Sequence, residues 1–290
     1  MRRIDDLQYK NLKIIQDTDG FRFGVDSVLL TEFARDIREH STIVDLGTGN
    51  GILSILLCKK VNPKKIIGIE KQEKVYELCK ENIKLNNLDN QFDVINADVK
   101  DIINSENQIL KNANNKETNT TDCERKSDEK ILYENDLGKK ILCEENLKSK
   151  TQSGVIIPKT IDAVITNPPY KKLGTGINAK NEIQQISRFE TTATLDDWIK
   201  TASTILKSKG SFYMVYRTDR LTEVFEILKK YKLEAKRIRF VYSNVKSESN
   251  LVLIKAIKEA KPYLKIEKPL IIYNEDGTYT DEILETYKMK

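Results

Sequence analysis

Thr42-Ile-Val-Asp-Leu-Gly-Thr-Gly-Asn-Gly51 decides the fold. A short apolar run carrying one acid, Asp45, breaks into glycines at alternate positions, and the helical run Ile52 to Lys60 follows at once. That is a strand turning directly into a helix. Glycines there let the backbone come close to a ligand and turn helix N-terminal N–H groups toward an anion. A dinucleotide fingerprint would need glycine at position 52, where isoleucine stands.

Downstream the pattern repeats. Lys65 to Ile69 is a strand ending at Glu70, and Lys71 to Asn86 has helical spacing through Val75, Leu78, Cys79 and Ile83. Phe92 to Ile95 is a third strand, closing at Asp98, and Ile161 to Ile165 a fourth. Leu195 to Leu206 and Asp219 to Tyr231 read as helices, and Ser211 to Tyr216, Arg237 to Tyr242 and Asn250 to Ile257 as strands. Alternating strand and helix predict an open α/β sheet of parallel strands with crossover helices. Residues 243–249 are too short for a crossover, so the last two strands should form an antiparallel hairpin. Upstream, Leu12 to Gln16 and the turn signal Asp19-Gly20 before Phe21-Arg-Phe23 predict another hairpin. Asp26 or Ser27 then offers the N-cap of a helix through Phe33.

In such sheets ligands bind beyond the carboxyl ends of the strands. Gly47 to Gly51, Glu70, Asp98 and Asn167 all fall there. The fourth strand ends in Asn167-Pro-Pro-Tyr170, where two prolines remove two backbone donors and forbid helix or inner strand. What remains is a rigid corner with an amide, a free carbonyl on Pro168 and the ring of Tyr170. If Asn167 Oδ1 and the Pro168 carbonyl each accept one N–H of a planar amine, its lone pair is freed for attack. Tyr170 can stack on the planar group, a contact worth about 1–3 kcal/mol for a base. No strong base is needed.

Composition bounds the rest. The 290 residues are 39% hydrophobic and 32% charged, and no stretch approaches the ~20 apolar residues of a membrane span. Nothing apolar follows Met1-Arg-Arg-Ile-Asp-Asp-Leu7, so no signal peptide is expected. Cys58, Cys79, Cys123 and Cys143 form no C-x-x-C pair, and His40 is the one histidine. These residues predict a reduced, cytoplasmic, metal-free protein. The net charge is +5, yet Lys229 to Lys268 holds twelve Lys and Arg against four Glu. That excess suits neutralisation of nucleic-acid phosphates. Between Asp101 and Val155 the composition turns to Asn, Lys, Glu and Thr, and Lys130 to Lys139 is nearly repeated in Lys140 to Ser149. This reads as a low-complexity insertion, partly disordered or loosely helical. Four segments follow: an N-terminal hairpin and helix (1–36), a catalytic domain (37–100 and 156–258), the insertion (101–155) and a C-terminal extension (259–290).

Asp45-Leu-Gly-Thr-Gly-Asn-Gly51 resembles the first motif of class I S-adenosylmethionine-dependent methyltransferases, which have a Rossmann-like sheet. The resemblance implies S-adenosyl-L-methionine as cofactor, held by Asp45, Gly47, Gly49, Asn50, Gly51, Glu70 and Asp98, with Asn167 at the boundary to the acceptor. Glu70 would take the ribose hydroxyls and Asp98 the adenine amino group. Asp19-Gly-Phe-Arg-Phe-Gly-Val-Asp-Ser-Val-Leu-Leu30, Arg237 to Tyr242, Ser249 to Ile254 and Leu270 to Tyr279 resemble bacterial tRNA1(Val) adenine-N6 methyltransferase-like proteins. By that resemblance Phe23, Gly24 and Asp26 line or close the cofactor pocket. Asn167, Pro168 and Tyr170 are then catalytic, and the partner is tRNA, methylated on the adenine beside the anticodon. Members often carry Ala-Arg-His-Glu where this chain reads Ser187-Arg-Phe-Glu190. The corner also suits other planar amines: guanine N2 or adenine of rRNA, a DNA base, or a protein glutamine. A non-catalytic cofactor- and RNA-binding protein is a further alternative, against which the intact corner argues.

Overall fold

The computed structural model describes residues 2–17, 24–102, 132–134, 140–142, 158–170 and 193–287. By contacts the chain forms two units, Met1–Ile103 with Ile156–Lys290, and Asn104–Val155. In chain order the larger unit opens with β1 (Arg2–Asp6) and β2 (Lys13–Asp17), an antiparallel pair, and α1 (Val25–Phe33). Next come β3 (Thr42–Leu46), α2 (Ile52–Lys60), β4 (Lys65–Glu70), α3 (Glu73–Leu85) and β5 (Phe92–Asn96). The smaller unit contributes β6 (Leu132–Glu134) and β7 (Lys140–Leu142), paired antiparallel with Tyr133 opposite Ile141. The larger unit resumes with β8 (Ile161–Thr166), α4 (Leu195–Ile205), β9 (Leu206–Arg217), α5 (Leu221–Lys230), β10 (Leu233–Tyr242) and β11 (Ser249–Lys258). It ends with β12 (Lys265–Ile266), β13 (Leu270–Ile271) and α6 (Asp281–Thr286).

The central sheet has the order β12-β10-β11-β9-β8-β3-β4-β5, with β13 also on β10. Strand β11 runs antiparallel to both its neighbours, and the other pairings are parallel. The mostly parallel sheet with an antiparallel hairpin near its end is therefore present. The chain leaves β3 toward β4 and β5 on one side, then returns as β8 on the other. The switch point lies between β3 and β8.

Alternation along each strand explains why both faces are covered. Ile43, Ala163, Ile165, Tyr213 and Val215 pack with α1 and α2 in one core. Val44, Leu46, Val164, Phe212, Met214 and Tyr216 pack with α4 and α5 in the other. Such two-sided burial is what an apolar parallel strand needs. Helix α4 starts in a capping box, with Thr194 and Asp197 bonding each other's backbone N–H. At its far end Lys258 of β11 is 8% exposed and donates to the carbonyls of Ser203 and Leu206. The helix is thereby held at both ends.

The N-terminal segment is fastened by polar groups. Asn82 of α3 accepts from Ile15 N at 2.7 Å and donates to Ile15 O at 3.2 Å, while Asn86, one turn on, does the same for Lys13. Two side-chain amides at i and i+4 thus occupy the second edge of β2. On the other side Asp36 accepts from Tyr213 at 3.0 Å, Lys255 at 2.6 Å and Arg237 at 3.2 Å. Burial alone would raise the Asp36 pKa, but Lys255 and then Arg237 bring it below the usual carboxylate range.

Some expectations change. Strand β2 pairs with Arg2–Asp6, an upstream segment whose charges disguise it as a tail; the Asp19-Gly20 turn and Phe21 to Phe23 lie outside the described residues. Helix α1 begins earlier, with Gly24 as N-cap and Asp26 inside its first turn. Within the insertion, read as partly disordered or loosely helical, Leu132–Glu134 and Lys140–Leu142 pair as strands; residues 103–131, 135–139 and 143–155 lie outside the described residues, as do Ser187 to Glu190. Cys58 and Cys79 are buried thiols. Among the described residues no helix is long and apolar enough to cross a membrane, and no cluster fits a metal ion.

Candidate active site

Strands β3 and β8 end side by side, Leu46 paired with Thr166. One chain then enters the glycine loop and the other the proline corner. In the loop Gly47, Gly49 and Gly51 have φ of 69°, 59° and 87°. A side chain in that region costs roughly 1–2 kcal/mol. Gly47 adds a steric reason: a Cβ there would lie 2.6 Å from Cη2 of Trp198 on α4. At Gly51 it would lie 2.8 Å from Cys79 Sγ.

The acids expected at the strand ends divide by role. Asp45 is 1% exposed and lies under the loop. Its Oδ2 accepts from Thr48 Oγ1 at 2.7 Å and Ser54 Oγ at 2.6 Å. Burial pushes its pKa up to about 7, with the two hydroxyls opposing that rise. Asp45 therefore braces the loop. Glu70 is 7% exposed and holds the loop from the next strand, accepting from Gly49 N at 3.0 Å and Gln72 N at 2.8 Å. Burial raises its pKa, opposed by those backbone donors. With the Lys71 N–H also bonding it, three backbone donors leave the carboxylate about one acceptor position. Asp98 is half-buried, accepts from Lys100 N at 3.1 Å and meets Lys71 Nζ at 2.9 Å. Burial would raise its pKa, but Lys71 and the Lys100 N–H bring it down, so it stays a carboxylate.

Asn50 is 0% exposed, and neither its Nδ2 nor its Oδ1 has a hydrogen-bond partner. Trp198 Nε1, beneath Gly47, is also buried without one. Unmade bonds of this kind cost about 1–3 kcal/mol each. A cradle of left-handed glycines, an orphaned buried amide and two carboxylates with lone pairs on adjoining strands suit a small polar, nucleoside-bearing group.

At the corner, Pro168 is buried while Asn167 and Tyr170 are half-buried. One end of the Asn167 amide lies 3.2 Å from Ser27 Oγ, and the other meets the Tyr170 hydroxyl in a short contact; which end is oxygen is set by the hydrogen-bond network. The same hydroxyl lies 2.9 Å from Asp26 Oδ2. The ring of Tyr170 stands edge-on to Tyr216, centroids 5.7 Å apart. Arg220 donates to the Tyr170 carbonyl at 3.2 Å and is bound to Glu223 at 2.7 Å. Burial and then the Asp26 charge drive the Tyr170 pKa well above its ordinary value. Asp26 thus reaches the proline corner, Gly24 caps α1, and Phe23 lies outside the described residues.

Sequence reasoning missed Ser27, Thr48, Ser54, Trp198 and Arg220. Thr48 and Ser27 lay inside the motifs already quoted, and Trp198 carried a signal as the one tryptophan of the chain; Ser54 and Arg220 carried none.

Sheet order and the loop at its switch point give the chain the fold of class I S-adenosylmethionine-dependent methyltransferases. A family model described as the TRM5/TYW2 methyltransferase domain matches residues 30–146. The chain is similar over nearly its whole length to curated proteins named tRNA1(Val) (adenine(37)-N6)-methyltransferase. The Haemophilus influenzae (strain 86-028NP) protein is 22% identical over 97% of this chain and 95% of its own. The one from Flavobacterium johnsoniae is 19% identical over 97% of each. Among solved structures, a predicted O-methyltransferase from Agrobacterium tumefaciens aligns with TM-score 0.58 at 18% identity, covering 91% of this chain and 95% of that one. M. jannaschii TYW2 in complex with AdoMet aligns with TM-score 0.51 at 16% identity, covering 88% and 85%.

Two outcomes follow from the loop. Gly47→Ala will shift the fluorescence of Trp198, the sole tryptophan, and lower stability by more than Gly277→Ala. The latter residue shares a positive φ of 83° but has nothing within 4 Å. Equal losses with an unmoved emission spectrum would contradict the close approach. Asp45→Asn keeps an oxygen for both hydroxyls while removing the titration. Because the native pKa lies above the unfolded value, the native state holds the extra proton between about pH 4 and 7. Wild-type stability relative to Asp45→Asn should therefore fall as pH rises through that window, measured by urea unfolding. A constant difference would show that Asp45 does not titrate there.

Proposed function

We propose that the protein transfers a methyl group from S-adenosylmethionine to the exocyclic N6 of an adenine in tRNA, beside the anticodon. The observation that carries the reading is the proline corner on β8 next to the glycine loop on β3, at the switch point of the sheet. Curated relatives matched over 97% of the chain carry that activity in their names.

The division of labour follows from the side chains. When bound, S-adenosylmethionine supplies an electrophilic methyl group on a sulfonium. Gly47 to Gly51 would admit its amino-acid end against the backbone, Glu70 would accept the ribose hydroxyls, and Asp98 would face the adenine edge. Asn167 Oδ1 and the Pro168 carbonyl would accept the two N–H bonds of the acceptor amine, fixing its plane and aiming its lone pair. The aromatic face of Tyr170 holds the base, which must leave its stack to arrive there. Positioning and electrostatics do the work, so no general base is required.

The substrate is tested by labelled S-adenosylmethionine with total tRNA, rRNA, DNA and a release factor in parallel. Label should appear as N6-methyladenosine in tRNA; label in protein, or as methylguanosine, would overturn the assignment. Asn167→Ala should abolish transfer while leaving cofactor affinity nearly unchanged.

The RNA-facing surface is narrower than the basic segment Lys229 to Lys268. Lys230, Arg237, Arg239, Lys246 and Lys255 are paired with Asp196, Asp36, Glu282, Glu275 and Asp36, and Lys258 is buried on carbonyls. The edge around β12 differs. Tyr263 is 70% exposed, with Lys236 Nζ 5.2 Å from its ring centre, and exposed Lys261, Lys265 and Lys268 lie on the same segment. An aromatic face among lysines is what a single-stranded or looped RNA segment grips. Changing Lys261, Lys265 and Lys268 to alanine together should reduce the slope of log affinity against log salt by about 2–3, at roughly 0.7–0.9 per phosphate contact. An unchanged slope would move the RNA track elsewhere.

A further inference from the structure

The Tyr170 hydroxyl has one proton and two acceptors in reach, Asp26 Oδ2 at 2.9 Å and Asn167 Oδ1 closer still. A phenol donates once. Hydrogen bonds to a carboxylate are roughly twice as strong as those between neutral groups, so the proton belongs to Asp26. The phenol oxygen then offers Asn167 a lone pair, and two bare oxygens cannot face each other at so short a range. The amide must therefore present Nδ2 to Tyr170, which turns Oδ1 toward Ser27 Oγ, the neighbour on its other side at 3.2 Å. Ser27 can donate to that oxygen, and the second Oδ1 lone pair stays open.

We propose that Asp26 is a positioning residue: by taking the single proton of Tyr170, it orients the Asn167 amide so that Oδ1 remains available to the acceptor amine. The proposal rests on the amine-binding role given to Asn167 above. It also sets the N-terminal segment within the acceptor half of the site. Residues 26 and 27, adjacent at the start of α1, hold the two ends of one chain of hydrogen bonds that runs through Tyr170 and Asn167. Without Asp26 the phenol proton falls to Asn167 Oδ1, the amide reverses, and the amine meets an occupied oxygen.

The order of effects distinguishes this chain from simple structural support. Asp26→Ala should lower kcat on unmodified tRNA by roughly 10–100-fold, the scale of a misoriented catalytic group. Cofactor affinity, followed through Trp198 fluorescence, should stay within about twofold. Adding Tyr170→Phe removes the competing donor while keeping the ring. The double variant should then recover to within about twofold of Tyr170→Phe alone, the scatter expected when Asp26 acts only through that hydroxyl. Additive losses, or a cofactor affinity weakened tenfold by Asp26→Ala, would overturn the proposal and assign Asp26 to the cofactor pocket. A substrate-independent arm uses tyrosine labelled with 13C at Cζ. In Asp26→Asn, which preserves shape, the Tyr170 resonance should titrate at lower pH than in wild type. A wild type that methylates no tRNA would sink the functional reading alone; an unmoved Tyr170 titration would sink the hydrogen-bond chain alone.

Discussion

The structure depends on the join between β3 and β8. Thr166, the last residue of β8 and fully buried, donates its hydroxyl to the carbonyl of Leu46, the last of β3, at 2.9 Å. That bond clamps two strand ends just where both chains leave the sheet. One turns into the glycine loop and the other into the proline corner. The two halves of the candidate site are thus set by the register of a single parallel pair. Both halves of the candidate site are carried on strand ends whose two faces are covered by helices.

Around this join, charge is managed by depth. Asp45 and Glu70 are buried acids whose pKa values rise, and both are held by donors of the glycine loop or its flanks. Their work is to fix backbone that glycine alone would leave free. Asp98 and Asp36, nearer solvent, face lysine or arginine and remain charged. A carboxylate here is identified by its donors, because acids recur at or just past the ends of β3, β4 and β5.

Local chemistry made much of this legible in the sequence. Strands β3, β4, β5 and β8 declare themselves because apolar runs end in glycine, acid or proline, which also marks the ligand rim. Strand β1 did not, since Arg-Arg-Ile-Asp-Asp has the composition of an exposed tail and is a strand only because β2 offers an edge. In the insertion Leu132–Glu134 and Lys140–Leu142 pair as strands, a contact that the near-repeat did not announce. Basic composition was a poor guide to basic surface: Arg237 and Lys255 converge on Asp36, more than two hundred residues earlier in the chain. No spacing rule could anticipate such a contact.

The same distance explains why the acceptor corner looked self-sufficient. Asn-Pro-Pro-Tyr contains an amide, a carbonyl and a ring, yet it does not contain what determines which way the amide faces. An asparagine is nearly symmetric in shape and opposite in polarity at its two ends, so its function is set by neighbours. Those neighbours are Ser27 and, through Tyr170, Asp26, some 140 residues away in sequence. An N-terminal segment tied to α3 by Asn82 and Asn86 and to the sheet by Asp36 is therefore more than packing. It delivers one hydroxyl and one carboxylate to the corner, and the polarity of the Asn167 amide is a property of the assembled fold.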